Sequence, residues 1–82
     1  MYEELASALS RVIGTKQTVR ALERGGVAAV YVARDAEERV VRDLKALCLA
    51  KGVPVTTVDT MFELGKVCGI EVGAASAAIL HE

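Results

Sequence analysis

Apolar positions near the start of the chain follow first a helical and then a strand-like spacing. Tyr2, Leu5 and Leu9 recur at intervals of three and four, which predicts a first amphipathic helix. The short apolar step Val12–Ile13 ends at Gly14 and predicts a brief strand. The chain therefore begins with a helix that is followed by a short strand.

A second helix is predicted over residues 15–24, with Val19 and Leu22 facing inward and the charged side chains outward. Gly25–Gly26 ends this helix, because glycine tolerates the left-handed conformation that follows a helix. Residues 27–33, Val-Ala-Ala-Val-Tyr-Val-Ala, are apolar on both faces. This pattern is typical of a strand that is covered by helices on both sides.

A capping pattern marks the start of the third helix. Asp35 is followed three residues later by Glu38, so we expect Asp35 to be the N-cap. The helix carries an apolar face and ends at Gly52. Residues 53–58, Val-Pro-Val-Thr-Thr-Val, then predict a strand whose proline lies at its start, where a missing donor is tolerated.

Thr60 and Glu63 repeat the capping pattern before a fourth helix that ends at Gly69, and residues 76–80 predict the last strand. The elements thus alternate between helix and strand along the chain. Alternation of this kind implies helices on both faces of a central sheet. We expect a single domain over residues 1–82: an α/β fold, a three-layer α/β/α sandwich with a mixed sheet of about four strands.

Charge is distributed unevenly along the chain. The net charge of −1 does not by itself indicate a nucleic-acid partner. Residues 11–34, however, carry +4 from five basic side chains and Glu23, so the remainder carries −5. Such asymmetry favours an anionic partner for residues 11–34. The alternative is a chance imbalance on a solvated surface.

Cys48 and Cys68 are the only cysteines, and they lack the close ligand spacing of a zinc site. Their apolar surroundings predict buried free thiols in a reducing compartment. The first residues lack the basic start of a signal peptide, and the longest wholly apolar run, residues 27–33, is too short to cross a bilayer. We therefore expect a cytoplasmic protein without a membrane partner.

No catalytic constellation is visible in the sequence. The single histidine, His81, lies one residue from the end, where order is often poor. The acidic cluster of Asp35, Glu37 and Glu38 is explained by the positive end of a helix. No glycine pattern indicates a nucleotide-binding loop. We expect no enzyme activity, no metal and no cofactor, since chemistry requires positioned titratable groups.

Residues 14–20, Gly-Thr-Lys-Gln-Thr-Val-Arg, lie between a short strand and a helix. The backbone N–H groups at such a helix start attract phosphate. Lys16 and Arg20 can donate to guanine O6 and N7, and the Gln17 amide oxygen can accept from guanine N1–H or N2–H₂. These side chains suit contacts with phosphates and guanine edges. The alternative is an ordinary solvated helix start.

Residues 70–76, Ile-Glu-Val-Gly-Ala-Ala-Ser, form a predicted loop with unusually small and apolar side chains. Small residues permit close approach, and Val72 can offer an apolar wall to an unstacked base. The alternative is that the loop packs on a neighbouring helix.

The motif at residues 14–20 and the segment 64–75, Leu-Gly-Lys-Val-Cys-Gly-Ile-Glu-Val-Gly-Ala-Ala, together resemble the kink-turn RNA-binding family. This family contains archaeal and eukaryotic ribosomal proteins of the seven-A-e and thirty-e type. The resemblance is closest to the small bacterial, YbxF-like members and covers nearly the whole chain. It implies a non-catalytic protein that recognises and stabilises RNA in which a three-nucleotide bulge adjoins tandem sheared G·A pairs.

The resemblance also implies which residues bind. The positions that meet the G·A pairs and nearby phosphates are Gly14, Thr15, Lys16, Gln17 and Arg20. The positions that pack an extruded bulge nucleotide are Ile70, Glu71, Val72, Gly73, Ala74 and Ala75. Arg34 lies near the same surface. The implied partner is structured RNA, such as ribosomal RNA or a riboswitch, rather than DNA, and we expect a monomer.

The chain departs from the archaeal pattern Gly-x-Asn-Glu-x-x-Lys, because Lys16, Gln17 and Arg20 replace its Asn, Glu and Lys. A neutral Gln17 loses the charge assistance that a carboxylate gives when it accepts from guanine, whereas Lys16 adds phosphate attraction. Gly73 replaces a proline that is common in the archaeal loop, so the loop should be less pre-organised.

A second hypothesis is a ribosome-associated protein-interaction adaptor without specific RNA recognition. It would use the acidic face around Glu37, Glu38 and Asp43 rather than the basic segment.

Overall fold

The computed structural model describes residues 2–81, in which helices and strands alternate as the sequence predicts. In chain order the elements are α1 (Glu3–Ser7), β1 (Arg11–Ile13), α2 (Thr15–Arg24), β2 (Val27–Ala33), α3 (Glu38–Lys51), β3 (Val55–Val58), α4 (Met61–Val67) and β4 (Ser76–Leu80). The predicted fold class is confirmed. The prediction of a single domain over residues 1–82 includes Met1 and Glu82, which lie outside the described residues.

The sheet has the strand order β1-β4-β2-β3. The last strand, β4, runs antiparallel to both β1 and β2, whereas β2 and β3 are parallel, so the sheet is mixed. In the register, Ala77 of β4 lies opposite Ile13 on one side and Tyr31 on the other. Because β4 lies between β1 and β2, its first residues meet the last residues of both strands.

Two apolar cores lie on opposite faces of the sheet. On one face, Leu5 of α1 and Leu64 of α4 pack with Tyr31 of β2. On the other face, Leu22 of α2 and Leu44 of α3 pack with the remaining side chains of the same strands. The three-layer sandwich is thereby formed from two pairs of helices. Neighbouring small residues on β4 let both layers approach the centre of the sheet.

The first helix is shorter than the sequence predicts. It ends at Ser7, and Leu9, which the helical spacing had included, lies outside it with 85% of its side chain exposed. The chain turns extended at Ala8, and the N–H of Leu80 donates to the Ser10 carbonyl at 3.0 Å. The Ser10 carbonyl therefore pairs with β4 instead of accepting a hydrogen bond within a longer helix.

The prediction that Asp35 caps the third helix is wrong. The N-cap of α3 is Glu37, and no side chain caps that end. Residues 34–36 instead form a turn in which the Ala36 N–H donates to the Ala33 carbonyl at 3.2 Å, and Ala36 is buried. The turn directs Asp35 towards α4, where its Oδ1 accepts the Met61 N–H at 2.7 Å.

The prediction that Thr60 caps α4 is confirmed. The Thr60 hydroxyl accepts the Glu63 N–H at 3.0 Å, as a capping residue does. With Asp35 also accepting from Met61, two side chains satisfy donors at the start of this helix. The strand before it, β3, begins at Val55 rather than at residue 53.

Within residues 2–81, no helix combines the length and the apolar character that are needed to cross a bilayer.

Candidate nucleic-acid interface

The residues singled out in the sequence follow strand ends that meet at one edge of the sheet. The carboxyl ends of β1, β2 and β3 lie beside the amino end of β4. Gly14 follows β1, Arg34 follows β2, Asp59 follows β3 and the segment 70–75 precedes β4. We call this edge, with the first turns of α2, the motif end. The sheet topology therefore brings together parts of the chain that are more than 50 residues apart.

Gly14 connects β1 to α2 in a conformation that suits glycine. Its φ is +100°, in a region that L side chains rarely adopt. The Gly14 N–H donates to the Ser76 carbonyl at 2.8 Å, and the Gly14 carbonyl accepts the Thr18 N–H at 3.0 Å. The Thr18 hydroxyl donates to the same carbonyl at 2.8 Å. The start of α2 is thus fixed to the start of β4.

Thr15 adds a side-chain contact to this connection. Its hydroxyl lies 3.0 Å from the hydroxyl of Ser76, which is fully buried. Thr15 is half-buried, so it positions the helix and presents only part of its surface to a ligand. Sequence reasoning missed Ser76 as a supporting residue, because nothing in an alanine-rich strand indicates which helix its hydroxyl meets.

The amino end of α2 presents donors and positive charge to solvent. No side chain caps this end. Lys16, Gln17 and Arg20 are all exposed on its first turns. Within the part of the chain that the structure describes, neither Lys16 nor Arg20 forms an ion pair. Helix dipole and basic side chains therefore act in the same direction, as phosphate binding requires.

The loop at residues 70–75 folds back on α4. The Ile70 N–H donates to the Gly65 carbonyl, and the Ala74 N–H donates to the Met61 carbonyl, both at 3.0 Å. A Cβ at Gly65 would overlap the carbonyl oxygen of Val72, so only glycine allows this close approach. Packing on a neighbouring helix, which was the alternative interpretation of the loop, is therefore part of its structure.

The same loop still presents an apolar side chain to solvent. Val72 is 70% exposed, and Glu71 and Gly73 are exposed beside it. Ile70 and Ala75 are half-buried against the core, and Ala74 is buried. The exposed surface of the loop therefore consists of residues 71–73, while the other three positions fix its backbone. The Ala33 N–H donates to the Ala75 carbonyl at 2.9 Å and holds the loop beside the end of β2.

Arg34 lies at the motif end as expected. Its N–H donates to the Val58 carbonyl at 2.8 Å, and its guanidinium lies 3.5 Å from the Asp59 carboxylate. Both side chains are largely exposed, so this ion pair contributes little stability and can be exchanged for another anion.

Not all of the positive charge of residues 11–34 reaches the motif end. Arg11 lies at the start of β1 and donates to the carbonyls of Leu5, Ala6 and Cys68 at 2.8 to 3.0 Å. These carbonyls lie at the carboxyl ends of α1 and α4, so the guanidinium has a structural role. Arg24 lies at the opposite end of α2. From residues 11–34, the positive charge at the motif end comes from Lys16, Arg20 and Arg34.

Other chemistry has little basis in the described residues. No group of three or more His, Cys, Asp or Glu side chains between residues 2 and 81 is arranged to hold a metal ion. Burial raises the pKa of the Cys48 thiol, and burial, opposed by Arg11, raises the pKa of the Cys68 thiol. Both thiols are therefore less reactive than an exposed cysteine.

Comparison with families of known proteins gives a match over almost the whole chain. The model of the family described as "Ribosomal protein L7Ae/L30e/S12e/Gadd45 family" matches residues 3–82.

Individual relatives are similar over most of their length. An RNA-binding protein of Halalkalibacterium halodurans is 50% identical over 78 residues, which are 95% of each chain. The RNA-binding protein YbxF of Geobacillus stearothermophilus is 49% identical over 80 residues, 98% of each chain. The large ribosomal subunit protein eL8 of Halobacterium salinarum is 44% identical over 68 residues, which are 82% of this chain and 57% of eL8.

Among solved structures, the Giardia lamblia 15.5kD RNA binding protein superposes with a TM-score of 0.85 at 27% identity. The match covers 98% of this chain and 68% of the Giardia protein.

Proposed function

Because the chain belongs to the Ribosomal protein L7Ae/L30e/S12e/Gadd45 family, we propose that it is a non-catalytic RNA-binding protein that recognises and stabilises kink-turn RNA. Bacterial relatives that are about 50% identical to this chain are named RNA-binding proteins, which supports RNA as the ligand. The observation that carries the finer proposal is the geometry of the motif end. There the uncapped start of α2 is joined to Ser76 by the hydrogen bonds of Gly14 and Thr15, and the 70–75 loop leads directly into Ser76.

In this proposal α2 enters the groove of the RNA by its amino end. Phosphates would meet the free N–H groups of the first turn together with Lys16 and Arg20. The Gln17 amide oxygen would accept from a guanine of the sheared G·A pairs. A bend that widens the groove is needed for this contact, because side chains cannot reach the base edges in the deep groove of regular A-form RNA.

The loop would hold the nucleotide that leaves the stack at the bulge. Val72 is exposed on a backbone that is hydrogen-bonded to α4, so it offers an apolar surface to an unstacked base. The buried Ala74 and half-buried Ile70 would act by fixing the loop. Arg34 would exchange its exposed pairing with Asp59 for an RNA phosphate.

The mechanism would be a shift of population. Free RNA samples bent and extended forms, and a protein that binds only the bent form increases its share. No group on the protein needs to react. The carriers that suit such a protein are ribosomal RNA or a riboswitch in the cytoplasm, bound by one copy of the chain. The name of the archaeal relative, a large ribosomal subunit protein, supports ribosomal RNA.

The acidic surface on α3 gives weaker support to an adaptor function. Glu37 lies 3.4 Å from Arg39, and Asp43 lies 3.8 Å from Arg42. Two of the three acidic side chains of this face, Glu37 and Asp43, therefore have a cation beside them, so the face is not uniformly negative.

The test is a gel-shift titration at one fixed physiological salt concentration, since salt alone changes affinity by orders of magnitude. One RNA duplex carries a three-nucleotide bulge followed by tandem G·A pairs, and the other has Watson–Crick pairs in their place. We expect binding to the first RNA and much weaker binding to the second. Equal affinity for both RNAs would contradict kink recognition.

Two arginines on α2 provide a matched pair of variants. Arg20 and Arg24 are both exposed, lie one turn apart, and lose the same charge when replaced by alanine. Arg20→Ala should weaken binding to the bulged RNA, whereas Arg24→Ala should leave it nearly unchanged. Gln17→Ala should cost roughly 1–3 kcal/mol of binding free energy, the range of a lost base contact. Equal losses at Arg20 and Arg24 would indicate attraction by total charge alone.

A further inference from the structure

A groove of about 540 Å³ lies over the middle of β2 and β3, on the face of the sheet that carries α1. Ala29, Tyr31 and Thr56 contribute to its floor, and Tyr2 and Glu4 line its wall at the start of α1. The motif end follows the carboxyl ends of the same strands, and none of the residues that line the groove belongs to it. The groove is therefore distinct from the surface that we assign to RNA.

One border of the groove is the free edge of the sheet. Among the described strands, β3 lies at the edge and pairs with β2 alone. The Val30 N–H donates to the Pro54 carbonyl at 3.0 Å, and the Arg34 N–H donates to the Val58 carbonyl at 2.8 Å. Because a parallel ladder uses alternate residues of each strand, Val55 and Thr57 direct their N–H and C=O groups outward.

The groove has a negative and aromatic lining. Glu3 and Glu4 line it, and neither a lysine nor an arginine is among its described lining residues. The rings of Tyr2 and Tyr31 meet edge to face, with centroids 6.3 Å apart and an angle of 89° between planes. Burial, and to a smaller extent the Glu4 carboxylate, raise the pKa of the Tyr31 hydroxyl, and both residues line the groove.

We propose that this groove and the outer edge of β3 form a docking site for an extended basic peptide of a partner protein. The peptide adds to the sheet beside β3 through the outward groups of Val55 and Thr57. Main-chain hydrogen bonds give such strand addition its affinity, and pockets for alternate side chains give its specificity. Lysine or arginine side chains on the groove side meet the Glu4 carboxylate and the tyrosine rings.

Charge decides between a basic peptide and RNA at this surface. The Glu4 carboxylate repels phosphates, whereas an ammonium or guanidinium group gains attraction from both this carboxylate and the ring faces. The free backbone edge also fits a peptide, because it presents donors and acceptors at the spacing of a strand. A protein with both surfaces would connect a structured RNA to a basic protein segment.

The experiment is a selection from a random heptapeptide display library on the immobilised full chain, followed by anisotropy titrations with the selected labelled peptides. Glu4→Lys reverses a groove charge, and Thr57→Pro removes an outward donor while it leaves the ladder to β2 intact. Glu38→Lys is the matched control, because it makes the same charge change at an exposed position outside the groove. Urea unfolding of each variant verifies that it folds.

We expect the selected peptides to be enriched in lysine or arginine at alternate positions. Both groove variants should bind them at least about tenfold more weakly, which corresponds to the loss of one good charged or backbone contact. The Glu38→Lys control should bind as the parent does. Without any variant, amide NMR shifts of the parent on peptide addition should concentrate at Tyr31, Val55 and Thr57.

Three results would overturn the proposal. The first is selection of peptides without basic enrichment, or binding that both groove variants retain. The second is a concentration of the peptide-induced amide shifts at residues 14–20 and 70–75, which would place the peptide at the motif end. The third is a change of the Val55 and Thr57 amide signals with protein concentration alone, which would make a second copy of this chain the occupant of the edge.

Discussion

Two glycines at the motif end are required for different physical reasons. Gly14 has a φ of +100°, and a Cβ built on it would meet nothing within 4 Å, so its backbone conformation is the constraint. At Gly65 the constraint is space, because a Cβ would overlap the Val72 carbonyl oxygen. The sequence indicated Gly14 through its motif. It could not indicate the space at Gly65, which depends on a loop that returns to the helix.

We expect Gly65→Ala to destabilise the protein, although alanine is the better helix former. Helix propensity favours alanine by up to about 1 kcal/mol. Overpacking costs about 1–3 kcal/mol, and the overlapping atom belongs to the backbone, which cannot rotate away. Urea unfolding should show the net loss, with Lys66→Ala on the exposed neighbouring position as control. An unchanged midpoint for Gly65→Ala would mean that the loop is not held against α4.

Val72→Asp tests the exposed part of the loop in RNA binding. An aspartate there sets a negative charge against a base and its phosphates, so affinity for the bulged RNA should fall at least tenfold, or about 1.4 kcal/mol. Leu49→Asp is the matched control, since Leu49 is 83% exposed at the far end of α3. Both variants should fold as the parent does. Equal effects of the two in a gel shift would remove the loop from the RNA-binding surface.

Arg11 shows that the sequence could not separate structural basic side chains from those that are available to a ligand. Its charge was counted with those of Lys16, Arg20 and Arg34, because all lie in one basic stretch. The structure assigns its guanidinium to three backbone carbonyls at the ends of α1 and α4. The distribution of charge along the chain therefore predicted the sign of the partner's charge, but only the fold shows which basic side chains face solvent at the motif end.

At the level of elements, the existence and order of helices and strands followed from hydrophobic spacing, but some ends did not. Local pattern placed Leu9 in α1 and Asp35 at the start of α3. Both positions are decided by contacts with distant residues: Ser10 accepts from β4, and Asp35 accepts from the start of α4. Such contacts have no signal in the local sequence, so helix ends were the least predictable feature.

Asp35→Ala should destabilise α4 rather than α3. Removal of a capping acceptor costs about 0.5–2 kcal/mol. Hydrogen exchange distinguishes the two helices, because amides of the first turn of α4 should exchange faster while those at the start of α3 keep their rates. Asp43→Ala, which removes only an exposed carboxylate beside Arg42, is the control and should change little. Faster exchange at α3 alone would mean that Asp35 caps α3, as the sequence predicted.

For the whole molecule, alternation of elements predicted the layers but not the order of the strands. The insertion of β4 between β1 and β2 is a long-range pairing, and it is this pairing that brings the segment 70–75 beside Gly14. The two motifs could be identified separately in the sequence. The resemblance to a known family implied that they act together, and the antiparallel placement of β4 brings them to the same end of the sheet.

The same layering separates the two cysteines and makes them part of the stability of the fold. Cys48 lies in the core between the sheet and α2 and α3, whereas Cys68 lies in the core on the α1 and α4 side. They are on opposite faces of the sheet and are free thiols. Burial raises the pKa of both thiols, and burial followed by Glu4 raises the pKa of the Tyr31 hydroxyl.

Each of these groups should make the fold less stable in alkali. A raised folded-state pKa gives stability that is fully present below the unfolded pKa, about 8.5 for thiols and about 10 for tyrosine. That stability is lost as the pH rises through the folded values, because the unfolded chain then releases protons more readily. We expect the urea midpoint to fall steadily from about pH 8.5 upward.

Tyr31→Phe isolates one part of this effect, because it keeps the buried ring and removes the hydroxyl that titrates. Its urea midpoint should match that of the parent protein near pH 7 and fall less steeply than the parent's above about pH 10. The remaining fall should persist, since both buried thiols are unchanged. Parallel curves for the parent and the variant across this range would show that the Tyr31 hydroxyl has the same pKa in the folded and unfolded chains. That result would contradict the effect expected from the burial of Tyr31.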